Sequence, residues 1–217
     1  MKKKLVLSIL VVLLLISGGT LGYYYWYEGR YYIKSDDARI TADQYKVMPQ
    51  ISAKLTHLDV EEGDTLTRNQ PIAEQDVSGL PPENISKSIL RAPIDGTILK
   101  LYSRTGEIAS PAAPVAIMAD MNNLYVSTNI EETDINRVKL GELVDITLDA
   151  DNNQTIQGKV RRIGQASNSV FSAIPALNTS GNFNKVTQRI PVEIALNVPK
   201  GLQLIPGTNV EVKIHTP

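Results

Sequence analysis

The chain contains no cysteine. That absence excludes disulfides, thiolate nucleophiles, Cys-ligated zinc, iron–sulfur clusters and any lipid anchor attached through a cysteine. It also leaves cysteine content silent about the compartment. Histidine is nearly missing: only His57 and His215 occur, one inside a predicted strand and one two residues from the end. Structural roles are expected of both rather than metal ligation. Charge of one sign is lacking too, with 22 Lys and Arg against 23 Asp and Glu. Such a balance gives no basic face for nucleic acid. No G-x-S-x-G, H-E-x-x-H, G-x-x-x-x-G-K-[ST] or G-x-G-x-x-G motif is present. Asp149–Asn153 starts like a calcium loop, yet Gln154 stands where the turn needs Gly and Val160 where a bidentate Glu belongs. An Asx-rich hairpin turn is expected there. Asn84, Asn153 and Asn178 open N-x-[ST] triplets, which matter only in a glycosylating host. No enzyme, cofactor or metal site is expected.

What the chain does have is one pattern written twice. Met48–Asp76 laid on Ala92–Asp120, a shift of 43 positions, puts Leu58 on Leu101, Gly63 on Gly106, Pro71 on Pro114 and Ala73 on Ala116. Leu55 falls on Ile98 and Ile72 on Val115. Each copy reads as short strands punctuated by Gly and Pro. A half of this kind cannot bury its apolar face alone, so the copies are expected to close on each other. The doubled unit is placed at 45–120, in halves 45–76 and 89–120. Between them, Val77–Lys87 holds Gly79 and Pro81-Pro82, which forbid a regular helix, so 77–88 is expected as a loop. Glu61, Glu62 and Asp64 cluster at the first turn, where a solvated turn is expected over a cation site.

The N-terminus carries Lys2–Lys4, then Leu5–Leu21 without a charge, then Tyr23–Tyr27. Seventeen residues at about 1.5 Å each are marginal for a hydrocarbon core of about 30 Å. The aromatic cluster lengthens the segment and suits a membrane–water interface. Residues 1–27 are therefore expected as a cytoplasmic tip and single transmembrane anchor, with the bulk exported. The competing reading is a cleaved signal peptide, for which Ser17–Gly19 offers small residues but no A-x-A site. Gly18 and Gly22 form a G-x-x-x-G pair, a candidate packing face between anchors. Residues 28–44 read as a linker and entry strand.

From residue 121 a second unit is expected. Leu124–Ile130 alternates as a strand, and Glu131–Leu140 reads as a short helix with acidic residues in its first turn and Gly141 as its stop. Val144–Leu148, Gly158–Ile163, Arg189–Leu196 and Asn209–His215 follow as strands, suggesting a small β-barrel over 121–217. The whole is mainly β. Gly164–Gln188 is a long polar loop holding Phe171 and Phe183, the two phenylalanines of the chain. A loop of that length in a compact domain is usually functional or disordered. Aromatics on a polar loop make Phe171 and Phe183 candidate partner contacts; core roles in the barrel are the alternative.

The doubled half resembles the lipoyl/biotinyl fold. Carriers of that fold present a modified lysine on a tight hairpin between the halves; Lys87 sits here in a Pro-rich loop without Met neighbours, against a carrier role. Taken in order, anchor, half, interruption, half and barrel resemble the HlyD-like membrane fusion proteins, and most closely their EmrA-type efflux adaptors. Asp36-Asp37-Ala38 and Ser127–Gly141 are similar to that family's motifs. So is Ser169–Val192, with Phe171-Ser172, Pro175-Ala176, Asn178, Gly181-Asn182, Lys185-Val186 and Gln188–Val192. The resemblance implies a non-enzymatic adaptor beside an integral-membrane transporter, of the major facilitator type, with self-association into a homo-oligomer. It marks Phe171, Pro175, Asn178, Asn182, Phe183 and Arg189 as transporter or self-association candidates. Larger members insert a coiled-coil hairpin between the halves and reach an outer-membrane channel. Val77–Lys87 would rise only about 16 Å even as a full helix, so no such channel is expected, and the cell is expected to lack an outer membrane. An ABC-type exporter as partner, or a stand-alone membrane-anchored surface scaffold, are the alternative readings.

Overall fold

The structure is a computed structural model. It describes residues 2–149, 154–171, 187–199 and 201–217, and for residues 2–9, 11, 83 and 171 the backbone alone. The chain opens with a helix, α1 (Lys2–Tyr31), which passes without a break into strand β1 (Tyr32–Thr41). Among the described residues no helix is long and apolar enough to cross a membrane. The side chains of residues 2–9 and 11, which supply much of the Leu5–Leu21 run, lie outside that description. Two compact units follow, one of residues 41–124 and one of residues 1–40 with 125–217.

The 41–124 unit contains β2 (Gln44–Val47), β3 (Ala53–Leu58), β4 (Thr65–Leu66), β5 (Pro71–Gln75), β6 (Ile89–Arg91), β7 (Gly96–Leu101), β8 (Ile108–Ala109) and β9 (Ala116–Ala119). They make two four-stranded sheets, ordered β2-β9-β7-β4 and β6-β5-β3-β8. Exchanging each strand for its mate 43 residues on turns one order into the other. Neither half makes a sheet by itself, because each sheet takes two strands from each copy. The hydrogen bonds repeat as well. Gly63 N–H donates to Ile98 O at 2.9 Å, and Gly106 N–H to Leu55 O at 2.8 Å. Both glycines have positive φ, 99° and 95°, which a side chain would strain. Even the turn caps match: Asp64 Oδ2 accepts from Glu61 N–H, and Glu107 Oε2 from Arg104 N–H. Leu55, Ile72, Ile98, Val115 and Met118 are buried between the sheets, each contributing about 1.5–3 kcal/mol.

Residues 77–88, expected as a loop, hold a 3-10 helix at Pro82–Ser88. Pro82 is tolerated because its missing N–H falls in the first turn, where no intrahelical partner exists. No α-helical hairpin is built there.

The other unit is a closed six-stranded barrel of β1, β10 (Tyr125–Glu131), β11 (Leu143–Leu148), β12 (Gln154–Ile163), β13 (Arg189–Asn197) and β14 (Asn209–His215), ordered β1-β10-β13-β12-β11-β14. Alternation along the strands sends Ile40, Ile130, Ile146, Ile194 and Ile214 inward, so the barrel is filled with side chains and is not a channel. At Gly158 an added Cβ would lie 2.7 Å from Ala195 O, so only glycine lets β12 approach β13.

Two expectations are corrected here. In the stretch 28–44 the expected entry strand is present but the linker is not: its first residues end α1, and Tyr32–Thr41 pairs with β14 as a barrel wall. The barrel is therefore not confined to 121–217. The helix expected at Glu131–Leu140 is reduced to turns and a 3-10 segment, Ile135–Arg137. Only Val138 of its apolar set is buried, too little to offset the nucleation cost of a short α-helix.

Candidate functional site

Five antiparallel pairings make the barrel strands alternate in direction. The starts of β1, β11 and β13 and the ends of β10, β12 and β14 therefore share one end of the barrel. At that end α1 enters, the 132–142 connection turns, and the long loop after Ile163 leaves and returns before Arg189.

The root of the long loop is held by a polar clasp. β1 carries a bulge between Ser35 and Ala38, so Asp36 and Asp37 stand against one residue of β14. Bulges re-aim side chains, and here the Asp37 carboxylate meets Arg189, Nη1 to Oδ2 2.6 Å. Asn129 Nδ2 donates to the same oxygen at 3.0 Å, and Asn129 Oδ1 accepts from Asn168 Nδ2 at 2.7 Å. Gln188 O accepts from Glu132 N–H at 2.9 Å. Residues on both sides of the loop, Asn168 and Arg189, are thus tied to β10 and β1. The Asp-Asp-Ala stretch and the Gln-Arg stretch, far apart in sequence, are two sides of one contact.

A second set of contacts joins α1 to the barrel. Arg137 Nη2 donates to Gly29 O at 3.0 Å, Arg30 O at 2.7 Å and Thr216 Oγ1 at 3.2 Å. Thr216 N–H donates to Tyr31 O at 2.8 Å. The last carbonyls of a helix lack intrahelical partners and favour positive charge; the guanidinium meets both needs. Glu28 pairs with Lys34 at 2.6 Å and Lys213 at 3.4 Å. The hydrogen bond from Lys34, ahead of that from Lys213, holds the Glu28 carboxyl below the usual carboxylate range, and Glu28 in turn raises Lys34. Lys213 Nζ also sits 3.9 Å from the Tyr32 ring centre, a cation–π contact. His215 packs edge-on to Tyr32 and brings Nε2 to 2.7 Å from Asp145 Oδ2.

Of the residues singled out from sequence, Arg189 is the first of β13 and forms the clasp. Phe171 closes the 3-10 segment Asn168–Phe171 on the loop's outgoing side. Pro175, Asn178, Asn182 and Phe183 lie outside the described residues. Gly18 and Gly22 lie one turn apart on α1, and a Cβ at either would meet nothing within 4 Å. Asp37, Asn129, Asn168 and Arg137 were not singled out as site residues. Asp37 falls in the Asp-Asp-Ala stretch, and Asn129 and Arg137 in Ser127–Gly141, both similar to the family's motifs; nothing in the sequence marks Asn168. His57 is exposed on β3. Glu61, Glu62 and Asp64 serve their turn, where Glu62 Oε1 accepts from Leu101 N–H. Among the described residues no group of three or more His, Asp or Glu could hold a metal.

Residues 123–215 match the AAEA-like beta-barrel domain family. The chain is 36% identical over 183 residues to the efflux system component YhbJ of Bacillus subtilis (strain 168), covering 84% of this chain and 79% of that one. It is 35% identical over 132 residues to the colistin resistance protein EmrA of Acinetobacter baumannii, covering 60% of this chain but 37% of the relative. Among solved structures, the membrane fusion protein Spr0693 of Streptococcus pneumoniae R6 superposes with a TM-score of 0.61, 12% identity, 86% of this chain and 99% of the other. That last likeness is one of fold.

Proposed function

Because the chain belongs to the HlyD-like membrane fusion proteins, as a short EmrA-type member without the coiled-coil hairpin, we propose that it is the non-enzymatic adaptor subunit of a multidrug-type efflux system. In this reading α1 anchors it once in the cytoplasmic membrane, N-terminus inside, and the two β units stand on the outer face. The partner is an integral-membrane transporter, of the major facilitator type by analogy with the family, and several copies assemble around it. The observation that carries the reading is the shared barrel end: α1 and both feet of the clasped loop emerge together. A loop rooted beside a membrane helix is well placed to touch a transporter embedded next to that helix. Gly18 and Gly22 leave a bare strip on α1 for close helix packing. The short join at 77–88 offers nothing to span a second membrane, which fits a cell without one.

The test is co-purification from detergent-solubilised membranes, with partner identity and complex mass read together. Phe171→Ala with Phe183→Ala should leave the fold intact and reduce transporter recovery. Unchanged recovery rejects those two contacts, and recovery of no transporter at all rejects the adaptor reading. An ATP-binding exporter in the complex instead would correct the partner class.

A further inference from the structure

The connection between β10 and β11 places an unburied apolar pair at the barrel end that α1 enters. Leu140 is 67% exposed and Leu143 48%, and Lys139 precedes them. Their height is set by the fold. Val144 pairs with Ile214 and Tyr32 with His215, so Leu143 lies level with the start of β1. Only β14 stands between them, a separation of two strand spacings or about 10 Å. Arg137, three residues before Leu140, holds the carbonyls of Gly29 and Arg30 at 3.0 and 2.7 Å. The connection is therefore fixed immediately beyond the aromatic cluster Tyr23–Tyr27. Its carboxylates are partly spoken for, Glu142 by Lys139 N–H at 2.8 Å and Asp134 by Arg137 at 3.4 Å.

We propose that this connection is a second lipid contact, with Leu140 and Leu143 resting in the headgroup–acyl boundary beside the anchor. The contact rests on reading α1 as a membrane span. Leu143, level with Tyr32 and so about 8 Å past Tyr27 along a helix axis, meets the headgroup region without any rearrangement of the barrel. With acidic neighbours at Glu131 and Glu132, the attraction is apolar rather than ionic, and zwitterionic lipid suffices. The consequence is an adaptor held at two points, which would fix the rotation of the barrel about the anchor.

The chain has no cysteine, so a single labelled site is clean. The full chain carrying Leu140→Cys, Leu15→Cys or, as the control at the opposite end of the same barrel, Ile205→Cys at a site 67% exposed, each bearing an environment-sensitive fluorophore, is reconstituted into phosphatidylcholine vesicles with spin-labelled lipid. The expected result is a blue-shifted, quenched signal at 140 and 15 and an unquenched one at 205. Quenching at 15 alone overturns the loop contact and leaves the anchor standing. Quenching at neither position overturns both. Quenching at 140 without 15 removes the span and, with it, the proposed contact beside an anchor. A blue shift at 140 without lipid quenching means protein covers it, which overturns the lipid contact, as does equal quenching at 205.

Discussion

The two β units reach closure by opposite routes. In the 41–124 unit every sheet neighbour lies within the unit's own span, and the same turn, cap and cross-half hydrogen bond occur twice. The barrel instead takes a wall, β1, from before that unit and pairs it with β14 at the chain's end, Tyr32 with His215. The rest of the barrel can form its strands, but without β1 the edges of β10 and β14 stay open. Closing them means holding together segments over 180 residues apart, and polar fasteners do part of that work: Asp37 with Arg189, and Arg137 with the end of α1.

Core truncation gives the hardest test of this contrast. Ile40→Ala and Leu55→Ala each empty a fully buried site, 1% and 0% exposed, and each should cost about 2–5 kcal/mol. Amide hydrogen exchange locates the cost. Ile40→Ala should accelerate exchange in β10 and β14 and spare β3 and β7; Leu55→Ala should do the reverse. If either change spreads evenly, the units are one cooperative body and the contrast fails.

Next in size is Arg137→Ala. It removes charge-assisted hydrogen bonds to two helix carbonyls and a hydroxyl, a loss of about 1.5–3 kcal/mol. Trp26 is the sole tryptophan and lies in α1, so its fluorescence anisotropy reports the joint directly. Faster depolarisation is expected, with amide exchange in the sandwich unit unchanged; an unaltered decay would mean the helix is held by its chain continuity with β1 alone.

The clasp should be worth less, about 1 kcal/mol, because Arg189 is half exposed and such pairs are screened. Asp37→Ala should cost more than Arg189→Ala, since it also strips Asn129 of an acceptor. A double-mutant cycle separates the pair from its surroundings. Protease nicking between 164 and 188 should rise in both single variants. No coupling between the two would leave the loop's root to backbone contacts.

How much of this was legible in the sequence follows the same divide. The sandwich could be read because its pairing rule is a repeat at constant offset, with Gly63 over Gly106 and Leu55 over Ile98. The core strands of the barrel showed through period-two alternation, as in Asn209–His215. An entry strand was expected within 28–44, but not its place in the barrel wall, because Tyr32–Thr41 is polar at its centre, where the Asp36-Asp37 bulge interrupts alternation. The helix expected at Glu131–Leu140 failed for the opposite reason: helical spacing was present, but the apolar side was left with little to cover. Arg137 and Asn129 are ordinary surface residues in sequence and gain their roles from contacts with residues distant along the chain, Arg30 and Asp37 among them.

The smallest effect tests where the repeat itself ends. Glu62 Oε1 accepts from Leu101 N–H at 3.0 Å and pairs with Lys100 at 3.1 Å. Those contacts, the backbone N–H first and Lys100 second, hold its carboxyl below the usual carboxylate range. Forty-three residues on stands Thr105, and Lys100 has His57 as its mate, so the second turn has no such carboxylate. A carboxyl with a lowered folded pKa adds stability that is fully present above its unfolded value, about 4.3, and is lost as pH falls through the folded one. Acid should therefore remove from the first turn a contact that the second turn lacks. In an NMR titration the Leu101 amide should shift on acidification while Leu58, its mate, stays still, and Glu62→Gln should abolish the Leu101 titration. Leu58 moving in step with Leu101 would make the turns equivalent in charge as well as in fold, and would remove the asymmetry assigned to Glu62.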